Sequence, residues 1–268
     1  MRLDRHFFKK NSCFCIHFIQ QSVNVEKLPP LSIEQEILLD SLLKEPFTYL
    51  ARGNSCYAFI SQDRKRVLKF HRIPSHKRIA AWLFHPSSYF LEKKEKRIQR
   101  LTNNIESYTT CFKDLQRETG CLWLQTHPHP NLKKKAVLID KAKNRYELDL
   151  GATTFIVQET AQLVLPTLQK LINNQELERA KCVITHILQL LSTTFSKGYI
   201  QTDPIIQTNF GLLPDRAIFI DMGSILKNSS SQNLADYLKS STDSLYHCLL
   251  ERHPSLIEHY HAEMNRFL

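Results

Sequence analysis

Residues Gly198 to Ser224 read GYIQTDPIIQTNFGLLPDRAIFIDMGS, and this stretch places an Asp, an Asn and a second Asp at spacings that phosphoryl-transfer chemistry uses. Such a site needs one carboxylate to orient an attacking hydroxyl and a second, with an amide oxygen, to hold magnesium against phosphates. Asp203, Asp221 and Asn209 are the candidates for those roles in that order. Phe210-Gly211-Leu212-Leu213 and Ala217-Ile218-Phe219-Ile220 flank the polar turn Pro214-Asp215-Arg216, which predicts a short hairpin. A hairpin of that length returns Asp221 to the end where Asn209 lies.

Each of the three also has an ordinary structural reading. An Asp before Pro204 starts a turn, an Asn before Phe-Gly caps a loop, and an Asp before Met-Gly ends a strand. It is their joint order, after an upstream Gly53 and Lys69, that favours a functional reading.

Upstream, Leu50-Ala51-Arg52-Gly53-Asn54-Ser55-Cys56-Tyr57-Ala58-Phe59 precedes Arg66-Val67-Leu68-Lys69-Phe70. Together the two regions resemble the protein-kinase-like fold. Gln201-Thr202-Asp203 stands where kinases have His-Arg-Asp, and Asp221-Met222-Gly223 where they have Asp-Phe-Gly. The two aspartates are 18 positions apart, near the family spacing, while Asp203 to Asn209 is six, one longer than the usual loop. The resemblance implies Gly53 in a reduced glycine-rich loop over the phosphates, Lys69 as the phosphate-contacting lysine, and a lobe-connecting hinge at Glu159 to Ala161 whose backbone meets adenine. Only Gly53 remains of three expected glycines, and Cys56 and Tyr57 carry side chains in that loop. The resemblance covers roughly residues 46 to 225. After Asp221 only 47 residues remain, with no Ala-Pro-Glu sequence, so a small or atypical member is implied.

The expected fold is therefore α+β and two-lobed, with an antiparallel sheet lobe and a reduced helical lobe. Residues 1–30 read as a loosely attached extension, 31–160 as the small lobe with a long inserted helix, and 161–268 as the reduced helical lobe. Ser32 with Gln35 forms a capping-box pattern opening a helix to Leu43. Val137-Leu138-Ile139-Asp140 and Tyr146-Glu147-Leu148-Asp149-Leu150 flank a polar turn and read as strands, as does Phe155 to Thr160. Apolar positions from Tyr89 to Leu115 recur at helical steps within Arg78 to Thr119. That segment offers Glu92, Glu95, Glu106 and Glu118 as partners for Lys69; spacing does not choose among them, and Glu95 is the provisional choice. Leu177, Ala180, Val183, Ile184, Ile187, Leu188, Leu191 and Phe195 make one stripe over Gln175 to Lys197, with Gly198 as terminator. Two further helices are expected near Asn233 to Glu251 and Ser255 to Phe267.

Composition narrows the class. Forty-two per cent hydrophobic and 23% charged residues are ordinary for a globular chain of 268 residues. Seven cysteines form no regular framework, so reduced thiols in a cytoplasmic setting are expected. Cys13, Cys15, His6 and His17 lack the second Cys pair of a zinc site and read as structural. No run approaches the ~20 apolar residues of a membrane span. The formal net charge of +10 invites a nucleic-acid reading, but the positives are scattered without an aromatic-plus-basic motif, so no specific nucleic-acid partner is expected. What the resemblance implies is an atypical phosphotransferase using ATP and magnesium on an unassigned acceptor. The alternative is a pseudokinase that binds a protein partner.

Overall fold

The computed structural model describes residues 14, 16, 19, 29–53, 56–71, 103–229 and 232–268. The chain divides into two compact units, one of residues 1–102 and 121–160, the other of residues 103–120 and 161–268. The fold is α+β: a sheet unit, and a helical unit that carries the Asp203 and Asp221 loops.

The sheet unit opens with helix α1, Ile33–Leu43, started by the anticipated capping box. Gln35 N–H donates to Ser32 Oγ (3.3 Å) and Ser32 N–H to Gln35 Oε1 (2.9 Å), so two orphan amides of the first turn are satisfied. Seven strands follow: β1 Phe47–Arg52, β2 Cys56–Ser61, β3 Arg66–His71, β4 Cys121–Gln125, β5 Lys135–Ile139, β6 Arg145–Asp149 and β7 Phe155–Glu159. Their order across the sheet is β4-β7-β3-β2-β1-β5-β6. Every neighbouring pair is antiparallel except β1 with β5, which run parallel through Phe47 opposite Leu138.

Aromatic side chains fill the core under this sheet: Phe47, Tyr57, Phe59, Phe70 and Phe155 are fully buried. Phe14 joins them, its ring 5.2 Å from both Tyr57 and Phe59 in edge-to-face contact. Phe14 and Ile19, at 3% and 1% exposure, correct the expectation that residues 1–30 are loosely attached throughout. Two apolar side chains of that stretch are core residues, because the sheet offers apolar area to cover.

In the helical unit, residues 103–114 are helical and continue, after a break at Leu115, into the single turn α3, Gln116–Thr119; the 103–114 helix is α2. Gly120 ends it in the left-handed conformation, φ +60°. The remainder of the segment expected to be helical, 78–102, lies outside the described residues. Where the sequence reading groups all of 31–160 in one lobe, residues 103–120 belong instead with the helical unit. Their side chains bond there: Glu118 Oε1 accepts from Lys197 Nζ at 2.7 Å, and Asp114 Oδ2 from Tyr199 OH at 2.6 Å.

Strand β8, Gln162–Leu163, leads into helix α4, Val164–Asn173. Helix α5, Leu177–Ser196, buries most of the foreseen stripe, with Ala180, Ile184, Ile187, Leu188 and Leu191 fully inaccessible, while Leu177 at its first turn is exposed and Phe195 half-buried. Helices α7, Leu234–Arg252, and α8, Ile257–Phe267, close the chain as expected.

Candidate functional site

The segment carrying the three candidate groups is a closed loop within the helical unit. It begins where α5 ends: Gly198 adopts φ +84°, a left-handed conformation that turns the chain out of the helix. Strand β9, Tyr199–Gln201, then pairs with β12, Ile225–Lys227, in antiparallel register with Gln201 opposite Ile225. Asn228 N–H reaches Gly198 O at 2.8 Å, and Thr202 donates both N–H (2.8 Å) and Oγ1–H (2.9 Å) to Ser224 O. Both arms of the segment are thereby fastened at one base.

Between them, Asp203 is exposed and Asn209 is buried at 5% exposure. Asn209 ends the one-turn helix α6, Ile206–Asn209. Its Nδ2 donates to Asp203 O at 2.7 Å and to Asp203 Oδ2 at 3.3 Å, and its Oδ1 accepts from Thr208 Oγ1 at 2.9 Å. The hairpin follows as β10, Phe210–Leu212, and β11, Ala217–Phe219, with Phe210 opposite Phe219. Ile220 N–H donates to Asn209 O at 2.8 Å, which brings Asp221 back to Asn209 as the hairpin length requires.

Asp221 is half-buried, and its Oδ1 accepts from Gly223 N–H at 3.0 Å. Gln201 joins the two aspartates. Its Oε1 accepts from Asp203 N–H at 3.2 Å, and its Nε2 donates to Asp221 O at 3.1 Å. Gln201 is itself held, buried at 2% exposure, with its N–H donating to Tyr237 OH at 2.9 Å. One amide thus sets the spacing of both loops, a role the sequence did not disclose because both bonds go to backbone groups.

Gly211 is required by close approach. A Cβ there would lie 2.5 Å from Ala161 Cβ and 2.9 Å from Ile220 Cγ1. The reason is that β8 pairs directly with β10, Leu163 opposite Gly211, so residue 161 is carried onto the hairpin. Ala161 therefore sits beside the Asp221 arm within this unit.

The other candidates lie in the sheet unit. Lys69 is half-buried at the middle of β3, between Ala58 of β2 and Ile156 of β7. Burial pushes the Cys121 thiol up to about 12, against the opposing charge of Lys69, so that sulfur stays protonated and is no nucleophile. Glu159 ends β7 opposite Arg66, and Thr160 N–H donates to Lys65 O at 3.0 Å. Gly53 N–H bonds Cys56 O at 2.9 Å; a Cβ on Gly53 would meet nothing closer than Cys56 Sγ at 3.7 Å, so this backbone does not demand glycine. Among the four glutamates offered for Lys69, Glu92 and Glu95 lie outside the described residues. Glu106 is exposed, and Glu118 is paired with Lys197 in the helical unit.

Magnesium in phosphoryl-transfer sites takes one or two carboxylates together with substrate phosphates and waters. Asp221 fits: its Oδ1 is oriented by the Gly223 amide, and its Oδ2 makes no hydrogen bond among the described residues. Asn209 Oδ1 keeps a second lone pair beside the Thr208 bond. No group of three or more His, Cys, Asp or Glu side chains forms a metal cage among the described residues, and Cys13, Cys15, His6 and His17 lie outside them. The described cysteines are free thiols, and no described helix is long and apolar enough to cross a membrane.

No family model and no curated protein matches the chain. Solved structures with some likeness include WbdD bound to the kinase inhibitor LY294002, at 15% identity over 81% of this chain and 45% of that one, TM-score 0.36. The bifunctional kinase-methyltransferase WbdD matches at 15% identity over 79% of this chain and 43% of that one, TM-score 0.35. The Rv3197–erythromycin complex from Mycobacterium tuberculosis matches at 17% identity over 86% and 61%, TM-score 0.36. The chain spans about half the length of these structures.

Proposed function

We propose that the chain is an atypical kinase-like phosphotransferase that uses ATP and magnesium. The observation that carries this reading is the Gln201 bridge, which holds the backbones of Asp203 and Asp221 at 3.2 and 3.1 Å while Asn209 is bonded to Asp203. A turn, a cap and a strand end of purely structural use have no need of a buried amide linking them. In this reading Asp203, exposed and restrained through its main chain, accepts the proton of an acceptor hydroxyl and orients its oxygen. Asp221 and Asn209 hold magnesium, which when bound neutralises charge on the phosphates. Lys69 contacts those phosphates, Gly53 belongs to the loop above them, and the backbone around Glu159 and Ala161 receives adenine.

The test is a thermal-shift titration with ATP, with and without magnesium, on the wild type, Lys69→Ala and Asp221→Ala. At ligand about 100 times Kd the expected stabilisation is ~2.7 kcal/mol, seen as a magnesium-dependent rise in Tm. Both variants should lose that rise and still melt cooperatively. An unchanged response in Asp221→Ala sinks the assignment.

A second reading, a pseudokinase acting through a protein partner, is favoured by one contact. The Thr208 hydroxyl on Asn209 Oδ1 competes for the oxygen that the metal needs. Absence of any shift in the wild type at millimolar ATP and magnesium selects this reading.

A further inference from the structure

A single buried hydroxyl on α2 holds the loop that follows Asp221. Ser107, at 1% exposure, accepts from Ile225 N–H at 2.9 Å, lies 2.7 Å from Ile225 O, and donates to Met222 O in a very short contact. A hydroxyl has one proton and two lone pairs, so Ser107 gives its proton to a carbonyl and accepts the Ile225 amide, tying backbone groups from both ends of the turn 222–225. One helical turn on, the Cys111 thiol approaches Met222 O at 3.8 Å. The loop also lies flat against the helix: a Cβ on Gly223 would come within 3.1 Å of Tyr108 Oη and 3.2 Å of Asn104 Oδ1.

This turn sets the aim of Asp221. The carboxylate Oδ1 is fixed by Gly223 N–H, and Gly223 lies inside the span that Ser107 ties together. A group that orients a ligand through its hydrogen-bond partners tunes metal affinity without touching the metal.

We propose that Ser107 is a positioning residue for the Asp221 carboxylate, setting the metal affinity of the loop through the 222–225 turn. The proposal rests on the reading of Asp221 as a magnesium ligand. Removing the hydroxyl frees Met222 O and Ile225 N–H, lets the turn relax, and releases the Gly223 amide from its place under Oδ1.

The experiment is a magnesium titration of ATP binding in the full chain, comparing the wild type with Ser107→Ala, Gly223→Ala and Leu115→Ala. Gly223→Ala disturbs the same turn from the loop side and leaves the helix core intact. Leu115→Ala removes a fully buried side chain just beyond α2 and reports loss of stability alone. Ser107→Ala and Gly223→Ala should raise the half-saturating magnesium concentration about 10- to 100-fold while saturating metal restores nucleotide binding. Leu115→Ala should leave the midpoint unchanged although it lowers Tm. A wild-type midpoint in Ser107→Ala overturns the proposal, whatever Gly223→Ala does.

Hydrogen exchange of the peptide spanning 219–226 separates this failure from that of the parent reading. If the wild type shows no magnesium-dependent nucleotide binding, the phosphotransferase reading fails and the positioning role with it. Faster exchange at Gly223 and Ile225 in Ser107→Ala then leaves a purely structural tie.

Discussion

Asp63 shows how strongly a single carboxylate can be conditioned by its neighbours. In the turn between β2 and β3 it accepts from the Ser61 hydroxyl at 2.5 Å, the Lys65 amide at 3.0 Å and Arg66 Nη2 at 2.5 Å. The Ser61 bond first, then the Lys65 amide and the Arg66 charge, hold its carboxyl well below the ordinary carboxylate range. Because the folded-state pKa lies below the unfolded one, the stabilisation is complete above about pH 5 and is lost as pH falls through the acid range. Asp63→Asn should therefore flatten the acid limb. The wild-type Tm should fall more steeply than the variant's between pH 4 and pH 2.5, and the two slopes should match at pH 6 to 8. Parallel acid limbs refute the linkage. The juxtaposition of Asp203, Asn209 and Asp221 is legible in the sequence because the apolar runs on either side of Pro214-Asp215-Arg216 mark a hairpin that returns the chain to Asn209. Gln201 and Ser107 are not, since each acts on backbone carbonyls and amides that only the folded loop presents. The one sign of Ser107 is its i, i+4 relation to Cys111, which places both on one side of the helix.

A charged seam lies where α3 meets the end of α5. Glu118 is 5% exposed with its Oε1 on Lys197 Nζ at 2.7 Å, while its Oε2 has no partner among the described residues. Lys197 also reaches Asp114 O at 3.2 Å and is itself 39% exposed, so solvent screens part of the pair. Lys197→Met leaves a buried, uncompensated carboxylate and should cost about 1 to 3 kcal/mol in denaturant melts, below the full penalty of a wholly buried pair. Adding Glu118→Gln should recover most of that loss; additive losses in the double variant exclude coupling. Elements were readable where periodicity or capping chemistry is local. The α1 capping box, the α5 stripe and the Phe210 to Phe219 hairpin all match. Strand β4 and the β9–β12 ribbon escaped: β9 and β12 have three residues each, too few to display a period, and all three strands exist through distant pairing partners. Helix α4 was obscured by Pro166, which falls in its first turn, where a missing N–H is tolerated.

Across the whole molecule the charge of +10 is the excess of 36 basic over 26 acidic side chains. Arg66 is paired with Asp63, Lys134 with Asp40 and Lys135 with Glu147, so these three basic side chains lie against carboxylates rather than forming an unbroken positive surface. Association with poly(U) should therefore be non-specific, falling roughly a thousandfold between 50 and 200 mM salt, whereas magnesium-dependent ATP binding should change little. RNA binding that persists at 200 mM salt contradicts this. The ribbon at the base of the Asp203–Asp221 segment has a separate implication for how the chain can vary. Because Gly198 to Asn228 is sewn shut at its foot and the exposed tip at Pro214 and Asp215 is remote from that foot, the segment is a cassette. Residues gained or lost at the tip leave the three polar groups in place. A single residue gained in β9 or β12 inverts every side chain beyond it and dismantles all three at once.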